Sequence, residues 1–110
     1  MKKITKEELK TILEQHKLWL DSDGEKGKCA DLSGANLTRA DLSGADLRLA
    51  NLTDTDLRRA DLAFANLSDA NLSYANLSGA NLLETDLRRA NLTGTDLICV
   101  DLTRANLSRV

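Results

Sequence analysis

The groups of this 110-residue chain that could do chemistry are one histidine, His16, two cysteines, Cys29 and Cys99, and a long series of aspartates spaced at multiples of five. Carboxylate rows suit a hard cation such as calcium, which takes oxygen ligands. An imidazole with thiols suits zinc or an activated nucleophile. The spacing supports neither. A single His rules out a paired-imidazole site, and any Ser-His-Asp arrangement would have to run through His16. No C-x-x-C or H-E-x-x-H motif occurs, and the glycine-rich nonapeptide of calcium-binding repeats is missing. His16 reads as a helix-face residue. No catalytic residue, metal site or cofactor is expected, and therefore no enzyme. Seventy residues separate Cys29 from Cys99, so two free thiols are expected.

The aspartates are explained by the leucines beside them. Leu stands at every fifth position from Leu32 to Leu107, sixteen times, and each is preceded by Asp (eight times) or Asn (eight times). A slot that a neutral amide fills as often as a carboxylate is one used for hydrogen bonding to nearby backbone at a turn. The residue two before Leu is Ala in twelve units, Thr at Thr55, Thr85 and Thr95, and Val at Val100. The two residues after Leu are open in type and are expected to face water. Seven N-L-S or N-L-T triplets match the glycosylation acceptor pattern but follow from the repeat itself.

A five-residue period suits neither regular element. On a helix each step turns the Leu by ~140°, and on a strand it flips the side chain to the other face. The chain must therefore bend about every five residues and keep one large apolar side chain per segment inward, which is a solenoid. Gly34, Gly44, Gly79 and Gly94 lie two after Leu, where a turn with positive φ would accept them, and bulky Phe64 and Tyr74 at the same position suggest a mixture of corner types.

The tandem A-(D/N)-L-X-X pattern over residues 30 to 109 resembles the pentapeptide repeat family. The resemblance implies an all-β solenoid, a right-handed quadrilateral β-helix in which four units make one square coil, giving about four coils starting at Ala30, Ala50, Ala70 and Ala90. Residues 20 apart should then stack, with Leu32, Leu52, Leu72 and Leu92 forming one structural column of the core.

The chain divides into residues 1–29, a capping helix with its connector, and residues 30–110, the repeats. Thr5 with Glu8 makes a capping box at the start of a helix over 5–20. Leu9, Ile12, Leu13, Trp19 and Leu20 recur on one face with His16 and form a lid for the first coil, Trp19 lying over it. His16-x-x-Trp19-Leu20 also resembles a leader found on some members of the family. Lys28-Cys29 could be the outward pair of a degenerate unit before the first. At the other end the last coil has no lid, so pairing of two chains there, or continuation of the protein, is expected.

The net charge is −2, with eight Arg among eleven acids in the repeats. That balance argues against nucleic acid or membrane as partner, and with no apolar leader or spanning segment the expected location is cytoplasmic. Arg58-Arg59 and Arg88-Arg89 are expected to make surface ion pairs with Asp54, Asp56, Asp69 and Asp86. Some members of the family imitate DNA and act on type II topoisomerases such as DNA gyrase. Here the acids are mostly cancelled, and the preferred reading is a non-enzymatic scaffold or protein-interaction module with an unidentified protein partner. Its contacts should be the large exposed groups Leu49, Phe64, Tyr74 and Ile98.

Overall fold

The computed structural model describes residues 1–110. Three regular elements follow in order: β1 (Lys2–Lys3), α1 (Lys6–Asp21) and β2 (Ala35–Asn36). The capping box of α1 is formed: the Glu8 N–H donates to Thr5 Oγ1 at 3.0 Å and the Thr5 N–H donates to Glu8 Oε1 at 3.2 Å. β1 pairs in parallel with β2, Lys2 opposite Ala35 and Lys3 opposite Asn36.

The structure corrects the expected all-β solenoid, a quadrilateral β-helix. Outside α1 and two two-residue strands the chain is turn and irregular backbone with isolated bridges, and no closed or curled sheet forms. The physical reason lies in the period. Each unit spends Leu and the next three residues on a turn closed by a hydrogen bond, as when the Ala35 N–H donates to the Leu32 carbonyl at 3.1 Å. Pairing between layers is therefore broken at every corner, which leaves single bridged residues at the Asp or Asn positions and no run long enough to be a strand.

What the period does build is a register of twenty. Asp31 bridges Asn51, Asn51 bridges Asn71 and Asn71 bridges Asn91, all in parallel. The Leu32 N–H donates to the Asn51 carbonyl at 2.8 Å, the Gly34 N–H to that of Thr53 at 2.9 Å, and the Asn51 N–H to that of Ala30 at 3.0 Å. Each twenty-residue layer forms one tier, and the four tiers begin at Ala30, Ala50, Ala70 and Ala90.

All sixteen corners are alike, which corrects the expected mixture. The second residue after Leu has positive φ in every unit, from +52° at Glu84 to +71° at Gly79, and twelve of these residues are not Gly. With a hydrogen bond between the first and fourth residues, this is the type II arrangement. A non-Gly residue in this region costs about 1 kcal/mol or more. Two hydrogen bonds per corner offset it: the turn bond, and one from the first residue after Leu to the side chain of Asp or Asn, present in every unit and 3.0 to 3.1 Å in most of them. Asp and Asn do the same work, as their interchange in the sequence implies.

The core is one cluster of Leu and Ala reaching from Leu9 in the lid to Ala90. Leu32, Leu52 and Leu72 are fully buried, whereas Leu92, in the last tier, is only half-buried, and Leu97 and Leu107 are exposed because no further layer covers them. The buried hydroxyls of Thr55 and Thr85 donate to the carbonyls of Leu52 and Leu62, at 2.8 and 2.7 Å. Thr can therefore stand in the Ala slot without an unpaired polar atom.

Candidate functional site

Many polar side chains of the repeats are bonded within the repeats themselves. Asp46 and Asp56 each receive two side-chain hydrogen bonds, and Asp86 three, from the Arg two residues on, Arg48, Arg58 and Arg88, and these bonds hold the carboxyls below the usual range. Asp31, Asp41 and Asp101 are lowered in the same sense by the hydroxyls of Ser33, Ser43 and Thr103. Between tiers, Arg89 binds Asp69 through two bonds of 2.9 and 3.0 Å. The counterpart of Arg89 in the other basic pair, Arg59, has Arg39 in the tier before it and makes no ion pair, nor does Asp54. No group of three or more His, Cys, Asp or Glu converges to hold a metal ion.

His16 is more than a helix-face residue. It is fully buried, its Nδ1 accepts the Ala30 N–H at 2.9 Å, and its Nε2 lies 2.8 Å from the Arg48 carbonyl. The neutral ring protonated on Nε2 satisfies both contacts. Within the tiers an Ala N–H goes to the Leu carbonyl three residues earlier, and a carbonyl such as that of Ser68 accepts the corner N–H of the preceding tier, that of Leu49. His16 replaces both missing partners, so the imagined unit ending in Lys28-Cys29 contributes neither backbone bond. The Lys28 N–H turns instead to the Gln15 carbonyl. Burial lowers the His16 pKa, opposed by the Arg48 carbonyl and the Asp46 carboxylate. His-x-x-Trp was the signal; its use as a double backbone cap was not visible in it.

The other lid residues divide. Leu9 belongs to the core and Ile12 and Leu13 pack against it, with Ile4. Trp19 is half-buried and its ring stacks on His16, centroids 5.7 Å apart. Leu20 is half-buried. The connector closes tightly on α1 at Gly27 (φ +70°), where a Cβ would stand 2.3 Å from the Gln15 carbonyl oxygen. Cys29 and Cys99 are free thiols, and burial raises the Cys29 pKa.

Leu49, Phe64, Tyr74 and Ile98 are all exposed. They form no common patch: by the twenty-residue register they fall in the fourth, third, first and second units of successive tiers. Tyr74 packs over Gly94 of the next tier, where an added Cβ would meet its ring at 2.6 Å. Elsewhere an open cleft of about 810 Å³ lies between α1 and residues 36–46. No helix of the chain is long and apolar enough to cross a membrane.

Among known proteins, the chain is similar to HetL, a pentapeptide repeat protein involved in heterocyst differentiation regulation in the cyanobacterium Nostoc sp. strain PCC 7120, at 37% identity over 71% of this chain and 43% of that one, TM-score 0.39. It is similar also to a pentapeptide repeat protein of the Arabidopsis thaliana thylakoid lumen, at 36% identity over 69% of this chain and 60% of that one, TM-score 0.32. A third, from the cyanobacterium Cyanothece 51142, is 31% identical over 78% of this chain and 62% of that one, TM-score 0.30. The chain thus spans less than two thirds of the length of each. No curated protein matches it. The family model described as pentapeptide repeats, in eight copies, matches residues 30–69 and again 70–109. The chain therefore belongs to the pentapeptide repeat family, which is non-catalytic.

Proposed function

We propose that this chain is a scaffold or protein-interaction module whose contacts are made by the outward residues of its tiers and by its lid. One observation carries the reading: every Asp or Asn before Leu is bonded to its own turn, so the positions free to meet a partner are the two after Leu. Large apolar groups stand there without a polar duty, at Leu49, Phe64, Tyr74 and Ile98. Their placement on four different units fits partners held on separate sides better than one broad interface.

A DNA-mimicking regulator of a type II topoisomerase gains no support from the surface. Its most acidic run, Asp41, Asp61, Glu84 and Asp101, includes two carboxylates already bonded by Ser43 and Thr103, and eight Arg interrupt the charge. The test is affinity capture from the source cells with the full chain and with Leu49, Phe64, Tyr74 and Ile98 replaced singly by Ser. The module reading expects a protein whose capture drops with one replacement and persists with others. Equal capture by all variants would reject it, and inhibition of gyrase supercoiling at micromolar concentration would favour the mimic.

A further inference from the structure

We propose that the cleft between α1 and residues 38–46 binds an extended peptide segment of a partner protein, which pairs its backbone in parallel with the first tier beside Asp41. This deepens the interaction-module reading and rests on it.

The lid covers the first tier unevenly. Ala40 and Ala45 are half-exposed, while their counterparts one tier on, Ala60 and Ala65, are each 1% exposed. The gap falls where the backbone is unpaired. In the second tier the Asp61 N–H donates to the Ala40 carbonyl and the Asn66 N–H to the Ala45 carbonyl, at 2.9 Å each, and the Asp61 and Ala63 carbonyls accept the N–H groups of Leu42 and Gly44 at 2.8 Å. In the first tier the N–H groups of Asp41 and Asp46 and the carbonyls of Asp41 and Ser43 have no such partners. Unpaired edge groups beside apolar surface are what strand addition uses.

The molecule already does this once. β1 lies in parallel beside Ala35–Asn36, with the Lys2 N–H donating to the Gly34 carbonyl at 3.0 Å. The chain then leaves the edge to enter α1. His16 recaptures the edge at Arg48. Between these points the edge of Asp41 is free, and the cleft is the space left above it.

The cleft also selects chemistry. Leu9, Leu13 and Leu37 line it with the two half-buried Ala, so an inward apolar side chain would be held. Near β2 its cations Lys6 and Arg39 make no ion pair; farther along, Lys10 and the acids Glu14 and Asp41 make none either, while Lys17 is held by Asp21 and Asp46 by Arg48. A parallel segment would run in the direction of residues 38 to 46, so its acidic residue should precede its apolar residue.

A phage-displayed random heptapeptide library selected against the full chain tests this, with amide hydrogen exchange locating the selected peptides. The expected result is acidic-then-apolar sequences that slow exchange at Asp41, bind about tenfold more weakly to the exposed-surface variant Lys10→Glu, and lose binding when the peptide backbone is N-methylated. Circular dichroism of the variant checks that α1 is intact. An empty selection, protection elsewhere, or binding that survives N-methylation overturns the proposal. Capture of a host protein that depends on Phe64 or Tyr74 but not on Lys10 would remove the cleft and leave the module reading standing.

Discussion

The tiers and the lid hold themselves together in opposite ways. In the tiers each turn bond recurs sixteen times and each kind of bond between tiers twelve times, and each Leu sits in register with a like residue twenty positions away. In the lid each contact occurs once: one histidine closes two backbone groups, one Gly admits the connector, one pair of two-residue strands joins the start of the chain to the first tier. Repetition makes a structure whose parts are individually replaceable. Single-use contacts make a region where one side chain decides the outcome, and where an edge can be left open.

The contrast is tested most severely in the buried column. Leu72→Asp places a charge at a fully buried site and should cost more than about 4 kcal/mol, read as loss of the folded baseline in urea titration. Leu92→Asp, at the half-buried end of the same column, should cost less than half as much.

Next comes the lid. His16→Ala strands the Ala30 N–H and the Arg48 carbonyl and should cost about 2 to 4 kcal/mol. The unaltered protein should also lose stability as pH falls below about 6.5, the unfolded-state His pKa. Burial holds the folded pKa below that value, so the unfolded state binds the proton first. The loss is complete once pH is below the folded value, and the variant should lack this slope. Below about pH 4 both should weaken further as the lowered Asp groups protonate.

Replaceability in the tiers predicts smaller effects. Asn71→Ala removes the acceptor for the Ser73 N–H and should cost about 1 kcal/mol, whereas Asn71→Asp should stay within about 0.5 kcal/mol. The smallest effect is expected at Arg59. Arg59→Asp would set a carboxylate beside Arg39 as Asp69 stands beside Arg89, gaining at most about 0.5 kcal/mol, and only at low salt. A gain that persists in about 1 M salt would mean that ion pairing is not its source.

The sequence was most readable where a residue type repeats. The Leu column, the equivalence of Asp and Asn, and the Thr5–Glu8 cap each follow from local chemistry and spacing. Continuous β-structure did not follow, because a corner in every unit breaks the pairing between layers. Phe64 and Tyr74 suggested varied corners, but an outward side chain of any size fits a left-handed residue whose backbone is bonded on both sides. The exposed apolar residues were recognisable singly, yet their value as a group depended on the register, which scatters them. Least readable was the role of His16. It depends on which two backbone groups the start of the first tier leaves unpaired, and on a connector at Gly27 that brings them to α1.

Site-resolved amide hydrogen exchange of the 110-residue protein tests the twenty-residue register most directly. The register predicts slow exchange at Leu32, Leu52 and Leu72, whose N–H groups donate to the following tier, and fast exchange at Leu92, whose N–H has no following tier to meet. Equal protection along the four Leu of this column, or rapid exchange at Leu52, would contradict it.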